Sequence, residues 1–248
     1  MNRTARTVMF LAAGGAIAVM MVMAMVRLPS FGADRHPYRD FAVPASVRHA
    51  TANVVSSINF DQRGLDTLGE ETILLASVMG VAVLLRRADD ETEVEPPPSG
   101  RVLDATRLGG YVMLPVTVVI GFDVVSHGQL TPGGGFQGGV VLGTGMHILY
   151  VAGRYRALQR LRPVTVFEWG EALGAAAFAC HGIAGLLASG AFLVNVIPTG
   201  TFGDLFSSGT VAVLNGAVGV EVASGVMVLL AKFLQQVIAI RPREEDPG

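Results

Sequence analysis

The 248-residue sequence predicts an all-α fold, an integral membrane bundle of about six transmembrane helices. Composition is the first reason: 51% of residues are hydrophobic and 15% charged, where a soluble domain carries about a quarter charged. Mean hydropathy is +0.51. Charge segregation is the second. Acidic and basic residues gather in short stretches, with apolar runs of about 20 residues between them, the length a bilayer core demands.

The first apolar run covers residues 8–26. Arg3 and Arg6 precede it, as in a secretory signal. The run is long for a signal core, however, Arg27 follows directly, and no small-x-small cleavage site precedes Arg27, so a retained helix is expected. A second run covers residues 67–85 and ends at the charged, proline-rich stretch RRADDETEVEPPPSGR. Four more follow, over residues 108–125, 134–152, 169–188 and 210–234. The chain then divides into a front part with two spans (1–87), a cytoplasmic linker (88–106), a four-helix part (107–240) and a tail (241–248).

Orientation follows from the basic residues, which favour the cytoplasmic side. Arg86, Arg87, Arg101 and Arg107 lie between spans two and three, and Arg154, Arg156, Arg160 and Arg162 between four and five. Lys232, Arg241 and Arg243 lie at or after the end of span six. The loops after spans three and five carry no Lys or Arg, so they face outward and both termini face inward. One segment conflicts: Arg27, Arg35, Arg39 and Arg48 follow span one, on the side this topology puts outside.

Between spans three and four stands TPGGGFQGG. Thr131 is placed to cap a helix whose first turn holds Pro132. Gly135, Gly139 and Gly143 then recur every four residues, with Gly134 and Gly138 on the adjacent row, a spacing that lets helix backbones approach closely in lipid. Close packing is the weightier expectation. The sharper one is a wet funnel lined by bare backbone and the Gln137 amide.

Titratable groups inside spans are costly and face protein or water. Here they are Asp123 and His127 in span three, His147 in span four, Glu171 and His181 in span five, and Glu221 in span six. Carboxylate and imidazole charge can change near neutral pH, so these groups could form a stepped proton or cation route. For each one alone, an interhelical hydrogen bond is the commoner role. Glu221, a mid-span carboxylate, is the hardest to explain as packing. Asn215 reads as interhelical glue.

In the front part, NVVSSINFDQRGLDTLGEE predicts an amphipathic helix over residues 53–60 and a break at DQRG. A helix then starts at Asp66 or Thr67, with Glu70 and Glu71 in its first turn, where acids suit the dipole. Asp61, Arg63, Asp66 and Glu70 form either a capped helix start or an ion-binding mouth.

No nucleophile elbow, phosphate loop, CxxC pair or dinucleotide glycine pattern occurs. No catalytic residue, metal site or cofactor is expected, no basic run suggests nucleic acid, and the single Cys180 supports no internal disulfide.

TPGGGFQGGVVLGTGMHILY resembles the signature of the MnhB family, the B-type subunits of Mrp-type multisubunit cation/proton antiporters, over about residues 108–237. The stretch NVVSSINFDQRGLDTLGEETILLASVMGVAVLL resembles the carboxyl end of the large A-type Mrp subunit, which also exists separately as the small E-type subunit of membrane-bound hydrogenases. The resemblance implies a multi-pass subunit of the bacterial plasma membrane. It implies a role accessory to the pump subunits of a Na+/H+ antiporter, beside the large A-type subunit, the D-type pump subunit and small membrane subunits, with Na+ and H+ as the transported ions. A transporter subunit, not an enzyme, is implied. The motif residues are Pro132, Gly133, Gly134, Gly135, Phe136, Gln137, Gly138 and Gly139, with Asp61, Arg63, Asp66, Gly69 and Glu70 in front. No catalytic residue is carried over. Fusion of the two parts departs from the commonest layout, which leaves a hydrogenase-type parent complex or a pure scaffold as alternatives.

Overall fold

A computed structural model describes residues 3–28, 36–86, 91–93, 102–153, 164–234 and 238–240. Most of the charged linker, Arg35, Arg101, Arg154, Arg156, Arg160, Arg162, Arg241, Arg243 and the tail 241–248 lie outside the described residues. The chain forms two compact units, residues 1–41 and 42–248.

The first unit holds α1 (Arg3–Val26) and the start of α2 (Pro37–Arg48). Every side chain of α1 from Thr7 to Val26 is exposed. A helix apolar on all faces is a span or a buried helix, never a stable surface helix in water.

In the second unit, Asn53 opens α3 (Val54–Ser57): its Oδ1 accepts from the backbone N–H of Val55 at 3.1 Å and of Ser56 at 3.2 Å. A π-helical turn, Ile58–Gln62, follows, and the chain breaks at Arg63. The expected front helix is therefore half α and half π. Next come α4 (Gly64–Leu84), α5 (Asp104–Ser126), α6 (Gly135–Gly153), α7 (Val164–Ser189) and α8 (Thr210–Leu234). Two three-residue strands pair antiparallel, β1 (Glu91–Glu93) with β2 (Ile238–Ile240), in register Glu91 to Ile240. This small ladder is an addition to the expected all-α fold. The β-branched pair Ile238 and Ile240 suits extended backbone.

Helix α8 is the axis. α4, α5, α6 and α7 all pack on it. Its Val211, Leu214, Val218 and Val222 join Phe60, Phe178 and Leu193 in the core. Outward faces are apolar instead of charged; Leu108, Val112, Val119 and Phe122 of α5 are all exposed. α1, α4, α5, α7 and α8 are each long and apolar enough to cross a membrane. α6, at 19 residues, is about 28 Å long at ~1.5 Å per residue, close to a bilayer core.

The glycine run differs from expectation at its start. Gly133 and Gly134 sit at φ +132° and +140°, which a residue with a Cβ rarely adopts, and α6 begins at Gly135, not Pro132. Thr131 does not cap it; its hydroxyl donates to the His127 carbonyl. The cap comes from another helix: Asn215 Oδ1 accepts from the Gly135 N–H at 2.9 Å. Beyond that point Gly135, Gly139 and Gly143 face α8, where added methyls would meet the Asn215 carbonyl, Val222 and Val226 at 2.5–2.8 Å. Gly138 turns instead to Gly121 and Val125 of α5.

Candidate functional site

Three helices of the bundle bring one glutamate each to a common seam. In α4 the buried face is Gly64, Thr67, Glu71 and Val78, recurring at helical spacing. In α7 it is Glu171, Gly174, Phe178, Gly182 and Gly185. α8 supplies Glu221. Glu71, Glu171 and Glu221 are 1%, 4% and 0% exposed. Gly174 sets the α7–α8 approach: a methyl there would lie 2.6 Å from Glu221 Cβ and 2.7 Å from the Ala217 carbonyl. Gly225, one turn past Glu221, is where all three helices meet. A methyl on it would lie 3.3 Å from Glu171 Oε1 and 3.3 Å from Val78 Cγ2.

The Glu71 and Glu221 side chains neighbour each other where α4 packs on α8, and Glu171 lies near Glu221. No other group among the described residues donates to the four Glu71 and Glu221 oxygens or to Glu171 Oε1. Lys232 is engaged elsewhere, 3.1 Å from Glu168. It stands three turns along α8 from Glu221, about 16 Å at ~1.5 Å per residue. Burying an ionised carboxylate without a partner costs several kcal/mol, roughly, and two neighbouring carboxylates repel. Such a seam offsets its charge by taking a proton or a cation between its oxygens. That is the chemistry an ion-relay position needs.

Of the residues singled out in the sequence, the structure unites Glu171 and Glu221. His181 lies on α7 two turns from Gly174 toward the loop that joins α7 to α8, half-buried, and its Nε2 has no partner among the described residues. The other candidates have local partners. His127 Nδ1 is 3.0 Å from Asp123 Oδ1 on the exposed side of α5. His147 donates to the Gly143 carbonyl of its own helix at 3.0 Å. Asp61 pairs with His49, and Arg63 with Asp66. Glu70 and Gln137 are exposed, while Phe136 packs against the core. Asn215, fully buried, also donates to Ser56 Oγ at 2.8 Å.

Sequence reasoning placed Glu70 and Glu71 together in the first turn and took only Glu70 as an ion-path candidate. Glu71 lies four residues after Thr67 and seven before Val78, in the row that burial marks as inward, whereas Glu70 is turned about 100° away.

These features define a multi-pass helical membrane protein with an acidic interior seam. Residues 106–228 match the family described as a domain related to the MnhB subunit of Na+/H+ antiporter, and residues 1–100 match the MbhE family, the E subunit of MBH. The uncharacterized protein MJ1307 of Methanocaldococcus jannaschii is 28% identical over 201 residues, covering 70% of this chain and 73% of that one. A probable K(+)/H(+) antiporter A/B subunit of Rhizobium meliloti is 30% identical over 138 residues, 47% of this chain and 14% of that protein. Among solved structures, a chain of the membrane-bound sulfane sulfur reductase, an archaeal respiratory membrane complex, superposes with TM-score 0.70 at 26% identity, covering 93% of this chain and 99% of that one. A chain of the Mrp complex from Dietzia sp. DQ12-45-1b shares the fold, with TM-score 0.66 at 24% identity, and all of this chain covers 27% of that one. The likeness to the MnhB-related domain thus falls on residues 106–228, and the likeness to the MbhE family on residues 1–100.

Proposed function

We propose that the chain is a membrane subunit of an Mrp-type, antiporter-like complex, and that Glu71, Glu221 and Glu171 line a proton or monovalent-cation path within it. It acts as a transporter subunit in a bacterial plasma membrane, beside a large A-type subunit, a D-type pump subunit and small membrane subunits, with Na+ and H+ as the ions exchanged. The observation that supports this most is the seam: two fully buried, neighbouring carboxyl groups with no other donor among the described residues. A scaffold needs no such cluster, because apolar side chains of the same volume would pack α4 against α8 at lower cost. The likeness to the MnhB-related domain and to Mrp and sulfur-reductase complexes supplies the setting.

The test is Glu221→Gln, which keeps volume and removes the charge. In assembled complexes reconstituted into vesicles, cation/proton exchange should be lost. Normal exchange by a normally assembled variant would overturn the path.

A further inference from the structure

At the loop end of the bundle, before α4 begins, lies a cavity of about 480 Å³ lined by His49, Asp61, Gln62, Arg63, Asn195 and Thr199, with Gly64 and Leu193 in its wall. At ~30 Å³ per water it has room for on the order of ten waters, enough for a hydrated monovalent cation. Its anionic group is Asp61, whose side chain is 6% exposed and paired with the half-exposed His49. The cavity's Arg63 is ion-paired with Asp66, which offsets its repulsion of a cation.

The cavity wall points toward the glutamates. Gly64 is the first residue of α4, and Glu71 lies two turns further along the same buried face, about 10 Å away at ~1.5 Å per residue. Leu193 lines the cavity and also belongs to the core cluster with Phe60 and Phe178. The two rings are 6.2 Å apart, centroid to centroid. Phe178 is one turn along α7 from Gly174, on which Glu221 packs.

Leu193 is held in an unusual way. Its φ is +62°, a conformation side-chain-bearing residues rarely adopt. Its neighbours are seated in notches on α7: a methyl at Gly182 would strike the Phe192 ring, and one at Gly185 would lie 2.8 Å from the Val194 nitrogen. The loop thus seats a single leucine against Gly64, in the cavity wall and in the apolar core at once. Hydrophobic constrictions of this kind gate ion passage by dewetting.

We infer that this cavity is the mouth through which a monovalent cation or proton reaches Glu71, and that Leu193, Phe60 and Phe178 form its gate. The inference rests on the ion-path reading above. Its test uses the assembled complex in vesicles, with the exposed Cys180 replaced by serine. Thr199→Cys is labelled with a membrane-impermeant cationic methanethiosulfonate, applied to each face in turn, and Glu71→Gln is measured beside it. Labelling should abolish exchange from one face. Complete labelling with unaltered exchange overturns the mouth, and if Glu71→Gln is dead in the same assay the path reading stands. If Glu71→Gln exchanges normally, the path reading itself fails. For the gate, Leu193→Ala, or Phe60→Leu should Leu193→Ala not assemble, should add a passive cation leak. An assembled gate variant as tight as the parent overturns the gate.

Discussion

Asn215→Ala tests how the front part and the glycine helix are held to α8. The side chain is fully buried and serves three groups: it accepts from the Gly135 N–H at 2.9 Å and donates to Ser56 Oγ at 2.8 Å and to the Val211 carbonyl at 2.9 Å. Alanine removes all three. The Val211 carbonyl sits within the helix and loses least. The Gly135 N–H belongs to the first turn of α6 and has no intrahelical acceptor, so it is left buried and unpaired. The Ser56 hydroxyl is left likewise. Each orphan costs about 1–2 kcal/mol, so roughly 2–4 kcal/mol is expected. For a chain of this size that lowers the thermal midpoint by about 4–16 °C. Detergent-solubilised complex is heated and its monodisperse fraction followed by gel filtration. In a Ser56→Ala background the Asn215→Ala loss should shrink, because one of its bonds is already gone. A single variant matching the parent midpoint, or full additivity with Ser56→Ala, would refute the reasoning.

Gly174→Ala puts a methyl 2.6 Å from Glu221 Cβ, so α7 and α8 must part; about 1–3 kcal/mol is lost and exchange falls with it, read by the same thermal assay and by vesicle exchange. Lys232→Ala breaks only the partly exposed pair with Glu168, at 23% and 45% side-chain exposure, so it should cost about 0.2–1 kcal/mol and leave exchange intact.

The spans were legible because hydrocarbon tolerates few charges, and that constraint acts on each segment alone. Residues 210–234 were expected as a helix, and α8 has those bounds. The glycine spacing was legible for the same kind of reason: a row at every fourth residue is one face of a helix whatever it meets, and here it meets α8. What depended on distant partners was not. α6 starts at Gly135 because Asn215, eighty residues away in sequence, supplies the acceptor, while Thr131 beside it turns back to His127. Nor does α4 announce its inward face. Apolar residues surround it on nearly every side, so the choice between Glu70 and Glu71 is made by where α7 and α8 lie, and only the buried row Thr67, Glu71, Val78 reveals it. Taking the titratable groups of the spans as one stepped route likewise put His147 and Asp123 with Glu221, although their side chains are partnered within four residues of their own sequence positions.

Adjacent glutamates offer the sharpest comparison. Glu71 is 1% exposed and neighbours Glu221, whereas Glu70 is exposed on the other side of the same turn. The two Gln variants differ by one position and remove the same charge. Initial rates of cation/proton exchange, measured on equal amounts of assembled complex in vesicles, should fall to background for Glu71→Gln and stay at the parent rate for Glu70→Gln. Equal rates for the two variants, or loss only with Glu70→Gln, would contradict a path through the buried seam.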